Sequence, residues 1–163
     1  MIYEIKVYGD EVLRKKSVDV EKITAEILEI LKNMVETMHS VKGIGLAAPQ
    51  VGFNMRMFVL DIGDGKVRKV INPKIEYFGD LVECEEGCLS VPGIYKPVKR
   101  YEKVKVTYLN EKGETVIEEG YDLLGRAFQH EYDHLDGILY VDKVSPVAKR
   151  LISKKLKFLE KNR

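Results

Sequence analysis

His130-Glu131-Tyr132-Asp133-His134 places two imidazoles and a carboxylate at the spacing of a metal site with its own base. An α-helix turns once in 3.6 residues, so the two histidines share a face and can grip one ion together. Glu131 is rotated about 100° from that face, which frees it to work on a water rather than to hold the ion.

A catalytic site of this kind usually needs a third protein ligand. The longer pattern H-E-x-x-H-x-x-G-x-x-H fits at Gly137 but fails at Tyr140, where the third histidine should stand. His39 lies far upstream in a polar stretch and reads as a surface residue. Asp142 and Glu160 could complete a two-histidine, one-carboxylate set, whereas Cys84 and Cys88 offer softer and stronger ligands.

The elements that position these groups come from a chain of 163 residues, 45% hydrophobic and 33% charged, which suits one compact domain over residues 1–163. No stretch is apolar enough for a signal peptide core or a membrane span, so the expected location is the cytoplasm. There, two cysteines read as a metal ligand and a bystander thiol rather than a disulfide. A net charge of +1 argues against global attraction to nucleic acid, and neither DNA nor a membrane is expected as a partner. Basicity is local: from Pro146 to Arg163 seven Lys and Arg side chains face one acid, Glu160.

Thr24 is placed to cap a helix whose apolar stripe is Ile27, Leu28, Ile30, Leu31, Met34, Val35 and Met38, with Ile23 set to staple against Leu28. Strand-like segments follow at 57–60, 70–71, 74–78, 81–84, 104–108 and 115–117. Turn signals at Gly63-Asp64-Gly65, Gly79-Asp80 and Asn110 to Gly113 separate them, so neighbours should be antiparallel. Asp122 is expected to open the metal helix. Pro146 should start a last helix buried through Val147, Leu151, Ile152, Leu156 and Leu159. The expected class is α+β: antiparallel β-sheets packed around a central metal-binding helix, with an N-terminal and a C-terminal helix.

Two more motifs bear on chemistry. Gly43-Ile44-Gly45-Leu46-Ala47-Ala48-Pro49-Gln50 superficially fits a dinucleotide fingerprint, but it follows a helix instead of a strand, and Pro49 would break the helix that should carry a phosphate. Its glycines permit close backbone approach to a ligand, and the Gln50 amide is a neutral donor for a developing oxyanion. Glu86-Gly87-Cys88-Leu89-Ser90 then brings a soft ligand next to an exposed backbone amide. Lys96, Lys99 and Arg100 just beyond it read as surface charge. Arg126, one turn before His130, is out of place beside an apolar pocket.

In these three segments, and in length and element order across nearly the whole chain, the sequence resembles the peptide deformylases, which remove the formyl group from N-terminal formylmethionine. The resemblance implies Cys88, His130 and His134 as metal ligands and Glu131 as the acid and base. Gln50 with the Leu89 N–H would form the oxyanion site, and Ile44, Gly45 and Gly87 would contact substrate. It also implies Fe²⁺ as the working ion, with Zn²⁺, Ni²⁺ or Co²⁺ able to replace it, and formylmethionyl nascent peptides as partners. The basic C-terminal helix would be a contact for the ribosome. A metallopeptidase of another HExxH class would instead need a downstream Glu, Asp or His ligand and keep its metal without Cys88. An RNA-binding protein with a structural metal would tolerate Glu131→Gln.

Overall fold

Thr24 begins the first helix as its spacing predicts: its hydroxyl accepts the Ile27 N–H at 3.3 Å and opens α1, Ala25–Ser40. Ile27, Ile30, Leu31, Met34 and Met38 are buried against Leu46, Met57, Val59 and Ile71, while Leu28, expected in the same stripe, lies outside it and is exposed. The computed structural model describes residues 1–163.

One five-stranded antiparallel sheet follows, with strands in chain order: β1 (Gly45–Ala47), β2 (Met57–Leu60), β3 (Arg68–Cys88), β4 (Val91–Leu109) and β5 (Thr115–Tyr121). The segments expected at 70–71, 74–78 and 81–84 are parts of the single strand β3. Gly79-Asp80 is therefore not a turn. Pairing passes from Phe78 with Lys103 to Leu81 with Tyr101, so one extra residue is absorbed as a bulge, with Gly79 at φ 81°. Glu102 accepts the Asp80 N–H at 3.2 Å, which satisfies backbone that the bulge takes out of the ladder. The result is a hairpin of two long strands whose two-residue turn, Leu89-Ser90, carries Cys88 to its tip.

The helix of the two histidines, α2 (Asp122–Leu135), leaves β5 directly and packs Ala127, Phe128 and Leu135 on Phe58, Leu60, Val70, Val104 and Val106. Its C-terminus is anchored by groups with no sequence signal. The Ser17 hydroxyl and Arg56 Nη1 both donate to the Leu135 carbonyl, at 2.8 and 3.0 Å. Arg56 also binds Asp136 at 2.8 Å, a cation at the negative end of the helix dipole.

Ser145 caps α3 (Pro146–Lys161), accepting the Ala148 N–H at 3.1 Å. Ile152 and Leu156 are buried and Leu159 partly so, packed with Val91, Ile94, Val98 and Tyr140. Val147 and Leu151 correct the expected stripe: they are 57% and 69% exposed, because Ala148, Ile152, Leu156 and Leu159 form the inward row and Val147 and Leu151 belong to the neighbouring one. No helix is long and apolar enough to cross a membrane.

Candidate metal centre

The tip of the β3–β4 hairpin meets the middle of α2. Cys88, His130 and His134 bring one ligand atom each to a common point, all within 4.8 Å of one another. His134 Nε2 is 3.3 Å from Cys88 Sγ and 3.2 Å from His130 Nε2. An ion bound tetrahedrally at about 2.0–2.3 Å would hold its donors about 3.3–3.6 Å apart, so the donor set fits a divalent ion of the zinc or iron type.

The other candidates lie elsewhere. Asp142 binds Arg14 at 2.6 Å, Glu160 packs against Gly9, and Cys84 sits on β3 opposite Val98. His39 is on the surface, paired with Asp61 at 2.7 Å.

His130 is oriented from behind. Its Nδ1 is 2.9 Å from Glu86 Oε1, which makes Nδ1–H the donor and leaves Nε2 for the ion. Glu86 is itself fixed by Arg100, whose Nε and Nη2 donate to it at 2.8 and 2.9 Å while Nη1 donates to Asp133 at 2.6 Å. Arg100 is thus no surface charge: it is 2% exposed and ties the strand that carries Cys88 to the helix that carries the histidines. Sequence reading missed it because alternation along β4 turns Arg100 inward while leaving Lys99 outside. Burial alone would raise the Glu86 carboxyl, but the bonds from Arg100 and His130 outweigh it and hold it at about 2.

Burial works against charge on both imidazoles. Glu131, Cys88 and Glu86 nevertheless raise His130 well above its ordinary value, whereas burial and the neighbouring His130 keep His134 well below it. An ion entering the site would therefore displace a proton.

Glu131 is 4% exposed. Its Oε1 has no hydrogen-bond partner within the chain, and burial raises its carboxyl to about 7, the range where a base can both accept and return a proton. Gln50, buried beside it, is locked in orientation: Oε1 accepts the Ala47 N–H at 2.9 Å, so Nε2 points at Ser90 Oγ, 3.1 Å, and Cys88 Sγ, 3.6 Å.

A cleft of about 460 Å³ opens onto this centre, and Ile44, Gly45, Gln50, Gly87, Cys88, Leu89, His130 and Glu131 all line it. Every site residue expected from the sequence is thus gathered in one place, with His134 buried beneath. Arg126 is also in the cleft wall.

The sequence model of the polypeptide deformylase family matches residues 2–150. The chain is 52% identical over 164 residues to a peptide deformylase of Fusobacterium nucleatum, an alignment covering 99% of this chain and 94% of the relative. Its fold superposes on the crystal structure of peptide deformylase from Thermus thermophilus with a TM-score of 0.93 at 40% identity, covering 99% of each chain. On the Thermotoga maritima enzyme the TM-score is 0.86 at 46% identity, covering 90% of this chain and 99% of that one. With the thiol, the two imidazoles and the buried carboxylate converging on a fold shared along its whole length, this chain belongs to the peptide deformylase family.

Proposed function

We propose that residues 1–163 act as one deformylase domain that hydrolyses the N-formyl group from the formylmethionine of newly synthesised polypeptides and releases formate. The observation that carries this reading is the meeting of Cys88, His130 and His134 beside the buried, unpartnered Glu131 at the end of an open cleft. Cys88, His130 and His134 would hold one divalent ion, with Fe²⁺ as the physiological choice and Zn²⁺, Ni²⁺ or Co²⁺ as substitutes. When bound, that ion supplies a Lewis acid and lowers the pKa of water from 15.7 toward ~7.

The chain's own groups do the rest. β1 is an edge strand, so an extended peptide can lie along Ile44 and Gly45 as an added strand, with Gly87 across the cleft. Glu131 takes the proton of the attacking water as oxygen bonds to the formyl carbon. The Gln50 Nε2 amide and the Leu89 N–H face the charge that gathers on the formyl oxygen, each such donor typically worth about 3 kcal/mol. Glu131 then hands its proton to the amine nitrogen, the C–N bond breaks, and formate and a free amino terminus remain.

Newly made chains are met at the ribosome, which assigns the work to the cytoplasm and gives the exposed basic residues of α3, among them Lys154, Lys155 and Lys161, a role in docking on ribosomal RNA. The decisive experiment is formate release from formyl-Met-Ala-Ser under anaerobic conditions, with metal analysis of the same sample. Stoichiometric metal without formate would overturn the reading.

A further inference from the structure

Four arginines of this chain are held by carboxylates: Arg14 by Asp142, Arg56 by Asp136, Arg68 by Asp64 and Glu118, Arg100 by Glu86 and Asp133. Arg126 is half-buried in the wall of the candidate active cleft and has no such partner. Asp122 stands one turn before it on α2, at the spacing at which an Asp and an Arg ordinarily pair, yet the two do not meet.

The position of Arg126 explains what its fork is free to do. It lines both the active cleft and a second cleft of about 550 Å³ on its other side, so its side chain forms the partition between them. The methylene stem offers an apolar surface to a methionine side chain, while the guanidinium keeps five donors for a planar anion. Other charges nearby are mostly matched. Glu86 is bound by Arg100 and His130, and Lys103 is tied to Glu119 at 3.2 Å between the rings of Phe78 and Tyr121, while Glu102 and Asp122 in the second cleft have no cation partner. At the rim of the active cleft the unpaired groups are Lys42 and Glu85, which offset one another.

Resting on the deformylase reading, we propose that Arg126 is a specificity-determining residue, binding a carboxylate of the formylated peptide downstream of its methionine. An acidic side chain in the residues after formylmethionine, or the C-terminal carboxylate of a very short peptide, supplies the same chemistry. The pair is charge-assisted and bidentate, and is felt in kcat/KM.

The test compares formyl-Met-Ala-Glu and formyl-Met-Glu-Ala with their Gln counterparts, all as C-terminal amides, and formyl-Met-Ala-Ala as free acid and as amide. The metal-loaded enzyme, Arg126→Gln and Arg126→Glu are assayed in parallel, and the readout is the ratio of kcat/KM for each charged and neutral pair. The expected ratio is about tenfold for the wild type (about 1.4 kcal/mol), near one for Arg126→Gln and below one for Arg126→Glu. It should shrink with added salt. A preference confined to the free acid assigns the site to a chain terminus, and one confined to Glu assigns it to a side chain. Equal rates within every pair, or a preference that survives Arg126→Gln, would overturn the inference alone. No formate from any peptide would overturn the deformylase reading and this inference with it.

Discussion

The Glu131 carboxylate packs against the bare α-carbon of Gly45. A side chain there would overlap Glu131 Oε2, and its Cβ would stand 2.9 Å from Cδ. The glycine of β1 is thus required by Glu131, the proposed base, which leaves no room for a side chain there. Gly45→Ala should leave the three metal ligands in place but push Glu131 aside. We expect full metal content with kcat lowered on the order of 10²-fold, the scale of a 1 Å misplacement. Normal turnover would show that Glu131 has room to spare.

Glu131→Gln should keep the ion and lose at least ~10² in kcat, because the amide can neither take nor return the proton. Metal content and single-turnover formate release, measured on one preparation, separate this outcome from loss of the site.

Cys88→Ala should abolish tight metal binding, whereas Cys84→Ala, which removes a thiol outside the cluster, should not. Metal analysis after dialysis checks both. Retention of the ion by Cys88→Ala would favour a carboxylate-completed site.

Burial alone would raise the Glu86 carboxyl, but the bonds from Arg100 and His130 outweigh it and hold it at about 2 against an ordinary 4.5, a net contribution of about 3 kcal/mol to stability at neutral pH. The sign follows from the lowered value: the contribution is complete above about pH 4.5 and fades as pH falls through about 2. Glu86→Gln should lose most of it at neutral pH, leaving Arg100 buried with Asp133 alone. Denaturant unfolding of the metal-free proteins between pH 2 and 7 should show the two curves converging in acid. Parallel curves would remove the charge from the account.

Reversing Lys154, Lys155 and Lys161 to Glu should weaken ribosome co-sedimentation, steeply so with salt, and leave hydrolysis of a free formyl peptide intact. Unchanged co-sedimentation at low salt would refute docking through α3.

Much of this was written locally in the chain. The i, i+4 histidines, the Thr24 cap and the proline that opens α3 each depend on spacing within one element, and spacing is what a sequence displays. The family resemblance added the union of Cys88 with His130 and His134, which no local period could supply. Three features came only from tertiary structure. Gly79-Asp80 looks like a turn and is a bulge, because cross-strand pairing to β4 outweighs a local turn preference. Arg100 looks like surface charge and is buried, since its carboxylate partners come from another strand and from a helix. Arg126 looks out of place in the sequence, and only the structure shows it half-buried in the cleft wall without a carboxylate of this chain to bind it. For the bulge and for Arg100 the deciding partner is remote along the chain, and the energy of a long-range contact leaves no trace in the residues next to it.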